Sequence, residues 1–143
     1  MNSPPGLSEG SFAAFRHLKE RRDVNTVILR CQRPTGVLVP EVEGNLTHDE
    51  LLAALPADEP RLVAHELCFA TQEGTRRNQQ LLIFWDPVGT ERQEQAYVAG
   101  YSALRPLVER PPLHFRARQA DELEYRKLVA LANTVAARRP GGR

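Results

Sequence analysis

The sequence predicts an α/β (α+β) fold: one domain in which a mixed sheet of about five strands is sandwiched between helices. Three observations carry this. Leu62 to Ala70 and Gln79 to Asp86 are apolar on both faces, as central strands covered by helices on each side must be. The order strand, helix, strand over residues 79 to 118 implies a parallel pair joined by a right-handed crossover, while the remaining strands read as antiparallel hairpins. At 143 residues the chain can bury a core without disulfide or metal staples.

The elements follow in order. Residues 1 to 7, with Pro4, Pro5 and Gly6, are expected to be a disordered start. From Ser8 to Arg22, Phe12, Phe15 and Leu18 recur at three-residue spacing ahead of Lys19, Arg21 and Arg22, which suits a helix with one buried stripe and a basic last turn. Asn25 to Gln32 and Val37 to Val42 form a hairpin around Pro34-Thr35-Gly36. Pro40 demands an edge position or a bulge, because proline cannot donate to the ladder. Thr47 and Glu50 have the spacing of a capping box, and Pro56 stops that helix at Leu55. Thr71 to Asn78 should be an exposed hairpin tip between the two central strands.

Thr90, with Gln93 three residues on, can cap a long helix running to about Arg105 before Pro106. On it Ala96, Ala99, Ala103 and Leu104 are expected to pack on the sheet. Leu113 to Arg118 alternates as a strand with Leu113, Phe115 and Ala117 on one face. Asp121 with Glu124 opens a last helix through Leu123, Leu128 and Leu131. The domain spans residues 8 to 135, and residues 136 to 143 form a basic flexible tail.

Composition narrows the function. With 41% hydrophobic and 26% charged residues, the chain reads as soluble and globular. Residues 1 to 5 lack the basic and apolar stretches of a signal peptide, and no run has the roughly 18 apolar residues of a membrane span, so a cytoplasmic protein that is not integral to a membrane is expected. Cys31 and Cys68 sit inside apolar runs and read as buried free thiols, without the paired spacing of zinc ligands. Residues 31 to 60 carry one arginine against six acids, whereas residues 101 to 143 carry nine Lys or Arg against four acids, an asymmetry that can steer a protein partner without nucleic acid.

Catalytic readings fail on geometry. His65 and Cys68, three apart on a strand, point to opposite faces and cannot form a nucleophile and base pair. No histidines have metal-ligand spacing, His17 and His48 read as surface residues of helices, and neither Gly74 nor Gly89 belongs to a phosphate loop. No enzyme, metal or cofactor is expected. His65, inside a central strand, should be a buried neutral imidazole with a hydrogen-bond partner.

The run from Leu51 to Gly100, a short helix ending at Leu55-Pro56, two apolar strands and a stop at Trp85-Asp86-Pro87 before a long helix, resembles the actin-depolymerising-factor homology (ADF-H) domain of the ADF/cofilin family. The resemblance covers about residues 8 to 132. Within it, Glu43-Gly44, Thr47, Asp49-Glu50-Leu51, Pro60-Arg61, Pro87-Val88-Gly89, Tyr97, Ala99-Gly100 and Phe115-Arg116-Ala117-Arg118 are similar to the glia maturation factors. Trp85-Asp86-Pro87 and Leu18-Lys19 look more like cofilins. Cofilins carry two basic residues early in the long helix; here Arg92 fills the first place and Glu94 the second, against strong filament binding or severing by the cofilin route.

The resemblance therefore implies a monomeric actin-cytoskeleton regulator that binds the Arp branching complex and promotes debranching. The alternative it leaves is an ADF/cofilin-type binder of actin monomers and filaments. It implies a partner-binding face of Lys19, Arg21, Arg22, Arg92, Gln93 and Gln95, and a second face of Arg76, Arg77, Glu124 and Lys127. Phosphoinositides could meet the basic cluster of the first face, since each clustered basic side chain near an anionic lipid surface gains about 1 kcal/mol.

Overall fold

The computed structural model describes residues 7–20, 23–32, 36–71, 73–87, 91–104 and 113–138, with all side chains except those of Lys19, residues 91–96 and residues 135–138. The elements are α1 (Glu9–Glu20), β1 (Thr26–Gln32), β2 (Val37–Gly44), α2 (His48–Ala54), β3 (Arg61–Ala70), β4 (Arg76–Trp85), α3 (Glu91–Leu104), β5 (Leu113–Ala117), a 3-10 turn (Ala120–Leu123) and α4 (Tyr125–Arg138). The sheet runs β2-β1-β3-β4-β5. Every pairing is antiparallel except β4 with β5, which is parallel across the α3 crossover, so the mixed five-stranded sheet expected from the sequence is the one formed.

Alternation along the strands builds two cores. Val27, Leu29, Ala64 and Leu82 point to the side where Ala14, Phe15 and Leu18 of α1 and Tyr97 and Leu104 of α3 pack. Ile28, Val63, Ile83 and Trp85 point to the other, beneath Leu51 of α2, Leu123 of the 3-10 turn and Leu128 of α4. Leu113, Phe115 and Ala117 join that second side, as their alternation requires.

Local signals explain several boundaries. Glu50 N–H donates to Thr47 Oγ1 (3.1 Å) and Thr47 N–H to Glu50 Oε1 (2.8 Å), completing the capping box of α2. Leu55 is extended, as the residue before Pro56 must be, and ends the helix. Edge position and bulge both hold at Pro40: β2 is an outer strand, and the register passes from Ile28↔Val42 to Leu29↔Pro40, leaving Glu41 unpaired in the ladder. The bulge aims Glu41 at Arg61, whose Nε and second guanidinium nitrogen donate to the two carboxylate oxygens at 2.8 and 3.1 Å. Burial works against the Arg61 charge, but the Glu41 hydrogen bonds and carboxylate outweigh it and raise the pKa.

Other expectations are corrected. Strand β4 starts at Arg76, not Gln79; Arg76 and Arg77 pair with Ala70 and Phe69, because the ladder outlasts the apolar run. Cys68 is exposed and Cys31 half-buried; at this end of β3 Leu67 and Phe69 are buried while Cys68 and Ala70 are not, so one face alone is covered. On α3 Leu104 is buried and Ala103 packs against the same core, as expected, but Tyr97 and Gly100 also face the sheet; Ala99 is half-buried, and the Ala96 side chain is outside the described residues. Tyr97 does so because its ring fills the core and its hydroxyl is satisfied, accepting from Cys31 N–H (2.9 Å) and donating to the Pro60 carbonyl (3.0 Å).

The last helix opens in two steps. Glu122, not Asp121 or Glu124, accepts the N–H groups of Arg118 (2.6 Å) and Gln119 (3.0 Å), which pull its pKa down. A 3-10 turn follows, Glu124 ends it, and α4 begins at Tyr125. Leu7, expected in the disordered start, is 3% exposed and bridges to Leu38, and α4 continues to Arg138 through what was read as tail. The expectations for residues 1–6, Pro34-Thr35, the Thr90 cap, Arg105-Pro106 and residues 139–143 fall outside the described residues. Among the described residues no helix is long and apolar enough to cross a membrane.

Candidate functional site

The first face expected from the sequence lies where α1 ends and α3 begins. Lys19 is in the last turn of α1, and Arg92, Gln93 and Gln95 are in the first turns of α3. Both helices cover the same side of the sheet. The side chains of these four residues, and Arg21 and Arg22 altogether, lie outside the described residues. Beside them His17 Nδ1 meets Glu43 Oε2 at 2.5 Å, tying α1 to the edge strand β2. His17 thus stays on the surface, with an acidic partner.

The residues expected to form a second face are all among the described ones. Arg76 and Arg77 open β4, Glu124 precedes α4 and Lys127 lies in its first turn; all four are exposed. They come from segments about fifty residues apart, and the Tyr125 hydroxyl, donating to the Cys68 carbonyl at 2.6 Å, links the start of α4 to β3, the partner strand of β4. Cys68 stands opposite Asn78, and the next residue, Phe69, opposite Arg77, so the start of α4 is fastened beside the start of β4. Tyr125 itself is 46% exposed and belongs to the same surface. Sequence reading passed over it; an aromatic flanked by Glu124 and Arg126 at a helix start was the available signal.

His48 braces this junction from α2, which corrects its reading as a surface residue. It is half-buried, its Nε2–H donates to the Leu123 carbonyl (2.7 Å), and its ring meets Tyr125 edge-on with centroids 5.6 Å apart. The carbonyl fixes the tautomer, since only a protonated nitrogen can donate to it.

The His65 and Cys68 side chains stay on opposite faces of β3. His65 is 4% exposed, with Nδ1 2.8 Å from Thr26 Oγ1, and burial followed by the nearby His48 charge lowers its pKa to about 4. Cys68 opens to solvent on the opposite side of β3. Among the described residues no three His, Cys, Asp or Glu side chains are grouped to hold a metal.

The sheet order β2-β1-β3-β4-β5, with two helices on each face, is the arrangement to compare with known folds. The fold is similar to that of Streptomyces griseoflavus cofilin, with a TM-score of 0.76 at 20% identity over 90% of this chain and 96% of that one. It is also similar to Entamoeba histolytica coactosin, with a TM-score of 0.70 at 19% identity over 90% and 94% of the two chains. Among curated proteins, actin-depolymerizing factor 10 of Oryza sativa subsp. japonica is 27% identical over 130 residues, 89% of this chain and 86% of that protein. Actophorin of Entamoeba histolytica is 30% identical over 105 residues, 71% and 74% of the two chains. The family described as cofilin/tropomyosin-type actin-binding protein matches residues 6–132, and the chain belongs to it.

Proposed function

We propose that this chain regulates the actin cytoskeleton in the cytoplasm by binding actin monomers and filaments and promoting depolymerisation, with weak severing. The curated relatives, actin-depolymerizing factors and actophorin, support the reading. The observation that supports it is the Tyr125 to Cys68 hydrogen bond, which ties the start of α4 to β3, the strand paired with the Arg76–Arg77 end of β4. The other face is the α1 end with the α3 start, at Lys19, Arg21, Arg22, Arg92, Gln93 and Gln95. Glu94, where a cofilin has a basic residue, weakens filament binding and limits severing. The Lys19 to Arg22 cluster also suits anionic phosphoinositides, which would compete with actin there.

A second reading keeps the same faces for the Arp branching complex, with debranching as the outcome. Glu94 and the run of glia-maturation-factor-like residues favour it. Fluorescence microscopy separates the two. Loss of polymer at constant branch density supports the first; falling branch density with bare filaments untouched supports the second.

A further inference from the structure

A cleft of about 170 Å3 opens between α3 and the β4–β5 edge of the sheet, and it shares no residue with either face above. Phe84 forms its base, Tyr97, Val98 and Tyr101 come from α3, and His114 and Arg116 from β5. Phe84 stacks on Tyr97 with centroids 5.4 Å apart, the Arg116 guanidinium lies 4.8 Å from the Phe84 centroid, and Tyr101 meets His114 at 4.9 Å. The walls are therefore braced against one another. Val98 is an apolar side chain left 49% exposed at the rim.

Size and charge together decide the occupant. Sites for cofactors and drug-sized ligands run from about 300 to 1,000 Å3. This cleft is smaller and suits one bulky side chain. None of the described residues lining it is acidic; Arg116 remains 39% exposed while its Nε is held 3.5 Å from the buried Asp86 carboxylate, and His114 is exposed beside it. We propose that the cleft docks an acidic segment of a partner protein, which inserts one leucine- or phenylalanine-sized side chain between Phe84, Val98 and Tyr101 while flanking carboxylates meet Arg116 and His114. An apolar anchor in a preformed pocket with charge-assisted hydrogen bonds at its rim is how a few residues come to carry most of a binding energy.

The test is titration of the isotope-labelled full chain with a synthetic nonapeptide, one central leucine among aspartates and glutamates, followed by amide chemical shifts. Shifts concentrated at Val98, Tyr101, His114 and Arg116 are expected, with affinity falling about tenfold or more for Val98→Glu and for a peptide whose leucine is replaced by serine. His114→Glu, also at an exposed position, is the second variant and should weaken binding equally should Val98→Glu fail to fold. The proposal is overturned by no shift at these amides at millimolar peptide, by equal binding of the serine peptide, or by anionic phosphatidylserine vesicles moving these amides while the peptide does not.

Discussion

The hydroxyl of Tyr125, first residue of α4, donates a 2.6 Å hydrogen bond to the carbonyl of Cys68 on β3, and so joins the helix to the hairpin that presents Arg76 and Arg77. A face assembled from segments distant in sequence costs entropy on binding unless the fold prepositions it. In the proposed face this bond, with His48 behind the ring, would supply that prepositioning.

Tyr125→Phe keeps the ring and removes the bond. A net hydrogen bond is worth about 0.5 to 1.5 kcal/mol, and water replaces this one at an exposed site, so the melting temperature should barely move. Actin affinity should fall by up to about tenfold as the face loosens. Fluorescence anisotropy with labelled actin reads the change, and unaltered affinity would detach the bond from binding.

His65 makes stability depend on pH. Its folded pKa of about 4 lies below the ordinary 6.5, so between these values the unfolded chain takes up a proton that the folded one refuses. Stability is complete above pH 6.5 and declines as pH falls towards 4, by on the order of 3 kcal/mol in all. His65→Ala should remove that slope from denaturant melts, cost about 1 to 3 kcal/mol at pH 7, and leave actin binding intact. A variant that keeps its melting temperature but loses binding would contradict the core role.

Gly100 marks the close approach of α3 to the sheet. A Cβ there would lie 2.2 Å from Leu38 Cδ1, and Leu38 is fully buried. Gly100→Ala should destabilise by about 1 to 3 kcal/mol, the usual cost of overpacking. Adding Leu38→Ala should cost less than the sum of the two single changes, a coupling that a double-mutant cycle of chemical melts will show.

The two faces can be weighed against each other. Exposed charges contribute little singly, so triple changes are needed. Arg21, Arg22 and Arg92 changed together to alanine should weaken actin binding about tenfold or more. Arg76, Arg77 and Lys127 changed together should spare monomer binding more than filament binding, because a filament can engage both faces at once. Pelleting and monomer-anisotropy assays on the two triple variants report each, and full binding by a folded first-face variant would dismiss that face.

Much of this was legible where one residue type has one physical solution. Pro40 foretold the edge bulge, Thr47 with Glu50 the capping box, and the runs Leu62 to Ala70 and Gln79 to Asp86, apolar on both faces, the two-sided core. The misreadings came where tertiary context outweighs composition. Cys68 follows apolar neighbours yet lies where β3 is covered on one side only, and Arg76 to Asn78 look like loop but continue a ladder whose partner strand is already fixed. Tyr97 joins Ala103 and Leu104 on the sheet because Cys31 and Pro60, distant in sequence, satisfy its hydroxyl. Of the candidate site, the second face could be named from family resemblance, but Tyr125 and His48, which hold it together, answer to contacts no local pattern encodes.

Sedimentation of actin filaments with the full chain, in the presence and absence of the Arp branching complex, tests the central claim most directly. The account predicts that the chain alone binds and moves actin from pellet to supernatant in proportion to its concentration, with no need for the Arp complex. A chain that neither pellets with filaments nor frees actin until the Arp complex is added would contradict it.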